Sequence, residues 1–152
     1  PVLLLLVSLT ACGGGGSAPT APTTSTQSFL AGTWRGTMTI QPNPTGAQPG
    51  TPVSGPVVWT FEVVPQTNLQ SFRTTIRSEN GWLPITLTSS TSMIPGNTPP
   101  VQISTQGEYD SPRGCRGTFG SFATAEARSI QGSITGVDCP VPFTGSVTLT
   151  KE

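Results

Sequence analysis

Three thiols and a handful of carboxylates are the side chains of this chain that could do chemistry. The thiols are Cys12, Cys115 and Cys139. In an exported chain, Cys115 and Cys139 are candidates for a disulfide, which the loop-entropy estimate values at about 3.5 kcal/mol; a buried pair of free thiols is the alternative. Among the carboxylates, Glu108 and Asp110 share one face of a strand run. Two acids on one face are the minimum for glycosidic-bond hydrolysis, but at a strand end they read first as solvated charges. Asp110 and Asp138 with nearby carbonyls are the one pairing that suggests calcium, and the solvated reading is taken there too. Histidine is absent, which removes Ser-His-Asp and Cys-His nucleophiles and most zinc sites. No catalytic residue, metal or cofactor is expected, and the chain is read as a non-enzyme.

The elements that must position these residues alternate with period two. In Gly32 to Gln41, Trp34, Met38 and Ile40 oppose Arg35, Thr37 and Thr39, the mark of a strand with one wet face. Pro56 to Val64, Leu69 to Ser78, Trp82 to Thr91, Val101 to Asp110, Cys115 to Ala125, Arg128 to Val137 and Phe143 to Thr150 repeat the pattern. Asn80-Gly81 supplies a turn of positive φ, and Met93 to Pro100 reads as a Pro-rich loop. With Glu126-Ala127 as a two-residue hairpin loop, Phe119 pairs with Ile134 and Cys115 with Asp138, leaving Cys139 one residue past the partner of Cys115. Eight antiparallel runs with mostly short connections predict an all-β, eight-stranded up-and-down barrel, since closure removes exposed edges; a β-sandwich is the alternative.

Charged residues make up 9% of the chain, with seven basic and seven acidic side chains, against about 25% charged in an average domain. A zero net charge argues against nucleic acid, whose binding needs a basic surface. Arg73 and Arg77 share a strand face and read as solvated. The content of 18 Gly and 16 Pro could suggest disorder, but the aromatic residues fall within the alternating runs and indicate a folded domain.

Leu9-Thr10-Ala11-Cys12 closes the apolar run Pro1 to Ala11 and precedes four glycines. The run is far shorter than the roughly 20 residues that span a bilayer, and it resembles the signal of bacterial lipoproteins with its lipobox. The chain opens on Pro1, so a basic n-region is expected before it. The resemblance implies cleavage after residue 11 and diacylglycerol on Cys12, a stable membrane anchor. Residues 12–28, the lipidated Cys and an uncharged Gly/Ser/Thr/Pro stretch, read as a tether of roughly 20 to 25 Å root-mean-square span. Residues 29–152 form the folded domain. The expected location is the bacterial cell envelope, and the outer membrane in a Gram-negative cell, because Gly13 stands where the family's retention signal has Asp.

Gly32-Thr33-Trp34, opening the first run, resembles the Gly-x-Trp signature of lipocalins and related calycin barrels. The resemblance implies that Trp34 closes the barrel base with Lys151 packed over it, and that the loop Gln41 to Gly55 covers part of the open end. Trp34, Trp59, Phe61, Phe72 and Phe119 are then the candidate lining of a cavity for a small apolar ligand, with Gly36, Gly107, Gly117 and Gly136 leaving room inside. Filling of the barrel by those same rings is the competing reading. It would make the domain a solid module that contacts an envelope protein or glycan through Gln41 to Gly55 or Thr91 to Pro100.

Overall fold

Each alternating run folds as a strand. The computed structural model describes residues 29–43, 47–64, 71–93 and 98–152, and its strands are β1 (Gly32–Pro42), β2 (Val53–Val63), β3 (Ser71–Ser78), β4 (Thr86–Met93), β5 (Val101–Asp110), β6 (Arg116–Ala125), β7 (Ser129–Asp138) and β8 (Val141–Lys151). Cys12, the tether and part of the proposed contact loops lie outside the described residues. Every strand pairs antiparallel with its neighbour in sequence, and β8 returns to β1. The sheet is one closed up-and-down barrel and not a sandwich.

Up-and-down order sends alternate connections to opposite ends. At one end, the base, lie the segment Phe29 to Ala31 and the β2–β3, β4–β5 and β6–β7 connections. At the other, the mouth, lie the β1–β2, β3–β4, β5–β6 and β7–β8 connections. The two Pro-rich loops therefore sit at opposite ends and cannot form one joint surface.

The inward residues pack into a single core in which Trp34, Trp59, Phe61 and Phe72 are all but inaccessible to solvent. Phe61 lies 6.4 Å from Trp34 and 6.2 Å from Phe72 between ring centroids, nearly perpendicular to both, and Trp59 is 5.9 Å from Phe119. Such edge-to-face pairs add stability beyond their buried area. Beside Phe72 in the register, inward hydroxyls replace rings: Thr91 is hydrogen-bonded to Thr74 at 2.6 Å and to Thr105 at 2.7 Å, and the Ser89 hydroxyl donates to the Thr74 carbonyl at 3.2 Å. Outward Val58 is nonetheless buried. It sits between Arg35 and Arg77 in the register, where long charged side chains cover apolar neighbours with their stems.

Three local expectations are corrected. The β6–β7 loop is Ala127-Arg128, because the Glu126 amide donates to the Ser129 carbonyl; the register pairs Phe119 with Gly136, not Ile134. A shift of two residues keeps every side chain on its face. The fourth strand starts at Thr86 instead of Trp82. Pro84 cannot donate to a ladder, and the Trp82 indole instead covers Gly55 and donates to the Pro56 carbonyl at 2.8 Å. Met93 belongs to β4 and not to the loop.

Candidate ligand site at the barrel mouth

The sheet leaves the filled core closed at the base and indented at the mouth. At the base, the Trp34 indole donates to the Leu30 carbonyl at 2.8 Å, while the Lys151 ammonium stands 5.5 Å from the Trp34 ring centroid and donates to the Phe29 carbonyl. Lys151 and Trp34 are cross-strand partners, so register alone brings the cation over the ring. The arrangement is the one that the Gly-x-Trp resemblance implied.

At the mouth there is a pocket of about 310 Å³, near the lower limit of roughly 300 to 1,000 Å³ for ligand sites. Its apolar wall comes from Met38 and Ile40 of β1, Leu83 and Ile85 of the β3–β4 connection, Leu87 of β4 and Phe143 of β8. Pro84 keeps the β3–β4 connection out of the ladder, and this frees Leu83 and Ile85 to lean over the opening. Of the five rings expected to line a cavity, only Phe119 reaches this pocket; Trp34, Trp59, Phe61 and Phe72 are packed below it.

The inward glycines do not hollow the barrel. A Cβ on Gly117 would lie 2.3 Å from the Tyr109 ring, and one on Gly136 would lie 2.3 Å from the Phe143 ring. These glycines are the seats on which two mouth rings rest. At Gly36 a Cβ would meet the Thr148 carbonyl oxygen at 1.9 Å, and at Gly107 it would meet the Ser89 Cβ at 2.7 Å, so these positions serve close strand approach.

The polar wall gathers where β5 and β7 end and β6 begins. Tyr109, Arg113 and Asp138 line it together with Ser111. Burial pushes the Tyr109 hydroxyl far above its ordinary value near 10, and the neighbouring Asp138 carboxylate adds to the rise; Arg113 opposes it. Arg113 Nε stands 3.8 Å from Asp138 Oδ2. The Ser111 hydroxyl accepts the Arg113 amide at 3.2 Å and fixes the turn.

Cys115 and Cys139 form a disulfide with Cα atoms 5.6 Å apart. It ties the β5–β6 connection to the two-residue β7–β8 turn, in which Cys139 has φ of 45°. The Asp138 carboxylate lies beside both sulfurs, but bonded sulfurs offer no thiolate to a metal. Glu108 and Asp110 are bridged by Arg116 at 3.1 and 3.8 Å, an exposed ion-pair cluster. Asp110 thus faces Arg116, and Asp138 faces Tyr109 and Arg113.

Tyr109 escapes sequence reasoning as a site residue, and Asp138 is weighed there only with Asp110 for calcium. The readable signal was Tyr109 at the end of an inward-facing row, opposite a glycine on the next strand. No protein-family model, curated protein or solved structure matches the chain.

Proposed function

We propose that the chain is a lipid-anchored protein of the bacterial envelope that binds one small, largely apolar molecule at the mouth of its barrel and performs no catalysis. The pocket of about 310 Å³ above a filled core carries this reading. Its wall is aliphatic and aromatic on one side and has a few convergent polar groups on the other, the usual composition of a site that buries an apolar body and orients it. With no histidine in the chain, Tyr109, Asp138 and Arg113 form a polar set without a nucleophile and base pair.

Anchoring rests on Leu9-Thr10-Ala11-Cys12. The tether would reach the barrel at its base, where Phe29 lies, and the mouth opens at the opposite end. A ligand would then be exchanged with a partner or the aqueous space, not drawn directly from the anchoring membrane. The absence of Asp at position 13 favours the outer membrane in a Gram-negative cell.

Titration of the protein with an uncharged, environment-sensitive apolar fluorophore tests the binding reading. One saturable site that is lost in Ile85→Asp is expected; a linear, unsaturable signal would remove it. For the anchor, Cys12→Ala should move the protein from the membrane fraction to the soluble fraction and abolish acyl labelling.

The filled interior supports a second reading, an interaction module without a ligand. The β1–β2 loop at the mouth would then be the contact surface, and deletion of residues 44–51 should abolish capture of an envelope protein or glycan partner while leaving the fold intact.

A further inference from the structure

We infer that the mouth pocket prefers an amphiphile whose polar end donates a hydrogen bond, such as an alkyl ammonium or alkyl alcohol, over one with an anionic end. The inference rests on the reading of the mouth as a ligand site and adds the head-group chemistry.

The pocket has two unlike sides. Ile40, Leu83, Ile85 and Leu87 can receive only an apolar body, whereas Tyr109 and Asp138 place oxygen acceptors at the opposite wall. The phenol of Tyr109 is kept protonated by burial and by the neighbouring Asp138 carboxylate, and its oxygen can accept a hydrogen bond as well as donate one. Asp138 Oδ1 is shielded from solvent and accepts no hydrogen bond among the described residues. A carboxylate has room for about four hydrogen bonds, so the cluster is short of donors.

Arg113 does not remove the shortage. Its Nε is 3.8 Å from Asp138 Oδ2, beyond hydrogen-bonding distance, and its side chain is 64% exposed. The charge is shared with water and weakened by screening. The Asp138 side chain as a whole is 29% exposed, so a ligand ammonium or hydroxyl in the pocket can bring a donor to this partly desolvated carboxylate, where such a bond is strongest. A ligand carboxylate or phosphate brings a second negative charge beside Asp138 and leaves its oxygen without a partner. The upward shift of Tyr109 reinforces the asymmetry, since the phenol remains neutral throughout the physiological range and adds no charge of its own.

Calorimetric titration of the purified protein with octylammonium, octanol and nonanoate, near neutral pH and at low salt, tests the order. All three present the same eight-carbon apolar tail. Octylammonium and octanol are expected to bind at least about tenfold more tightly than nonanoate, a difference of about 1.4 kcal/mol. Asp138→Asn keeps an acceptor and loses the charge; it should remove most of the margin of octylammonium over nonanoate. Arg113→Gln takes a cation from the polar wall and should widen that margin. Equal affinities, or tightest binding of nonanoate, would overturn the head-group preference while leaving the pocket as a ligand site. Saturable binding by none of the three would overturn the ligand site itself. The series on the unaltered protein decides these outcomes even if a variant fails to fold.

Discussion

Tyr109 is the only tyrosine in the chain, so phenolate absorbance reports on one residue of the mouth without interference. Burial and Asp138 raise its folded-state pKa above the unfolded value near 10. Below that value both states hold the proton and the stabilisation is fully present. Above it the unfolded chain releases the proton first, so stability falls as pH rises, by up to about 1.4 kcal/mol per pH unit. The expected result is phenolate absorbance that appears only as the protein unfolds in alkali, and a flatter stability profile above pH 10 for Tyr109→Phe. Superimposable alkaline profiles would refute the coupling. The hydroxyl row gives a second contrast of single residues. Thr91 joins Thr74 and Thr105, whereas Ser121, beside Thr105 in the register, has a buried Oγ with no hydrogen bond among the described residues. Thr91→Val should cost about 1 to 3 kcal/mol by stranding two buried hydroxyls, and Ser121→Ala should be neutral or stabilising by about 1 kcal/mol; urea denaturation measures both. Inward Thr74 and Thr105 were readable from alternation, but their bonding was not, because it depends on which strands become neighbours.

At the scale of elements, the barrel depends on the closing seam between β1 and β8 and on the staple between two mouth connections. Gly36 permits the seam. Its missing side chain lets β1 approach the Thr148 carbonyl, and Gly36→Ala should cost about 3 kcal/mol, the upper end of ordinary overpacking. Removal of the disulfide by paired Cys115→Ser and Cys139→Ser substitutions should cost about 3.5 kcal/mol by the loop-entropy estimate. It should also weaken binding at the mouth, since Asp138 immediately precedes Cys139; unchanged affinity with lowered stability would confine the bridge to a structural role. All eight strands were legible from alternation because each has one face in the core. The β6–β7 register was misplaced because Ala127-Arg128 carries no glycine or asparagine to mark the turn. In the sequence an inward glycine reads as space, yet whether it makes a hollow, a seat for a ring or a close strand contact depends on its cross-strand partner. The pocket could not be located from the sequence for the same reason: its walls come from connections whose course is set after the barrel has closed.

For the whole molecule, the decisive question is where water and ligand can enter. Eight strands enclose a space that side chains can fill or that can hold one small ligand, and this barrel does both at different levels. Rings and aliphatic chains fill it from the base upward, and the indentation at the mouth is all that remains for a guest. The three tryptophans sample these levels. Trp34 and Trp59 are wholly buried, Trp34 at the base and Trp59 in the ring cluster, whereas Trp82 lies over Gly55 at the mouth with part of its surface open. A hollow, water-filled barrel would admit a small neutral quencher to Trp59. A filled one restricts collisional quenching to Trp82, because interiors packed to crystal-like density admit no such molecule without local opening. Acrylamide should therefore quench about one emitter of three, and Trp82→Phe should abolish most of the accessible fraction while Trp59→Phe leaves it unchanged. A bound apolar molecule should raise the unfolding temperature with concentration, as any ligand of the native state alone must. Substantial quenching that survives Trp82→Phe would show that the interior admits small molecules, and the ligand site would then have to be sought among Trp59, Phe61 and Phe72 instead of at the mouth.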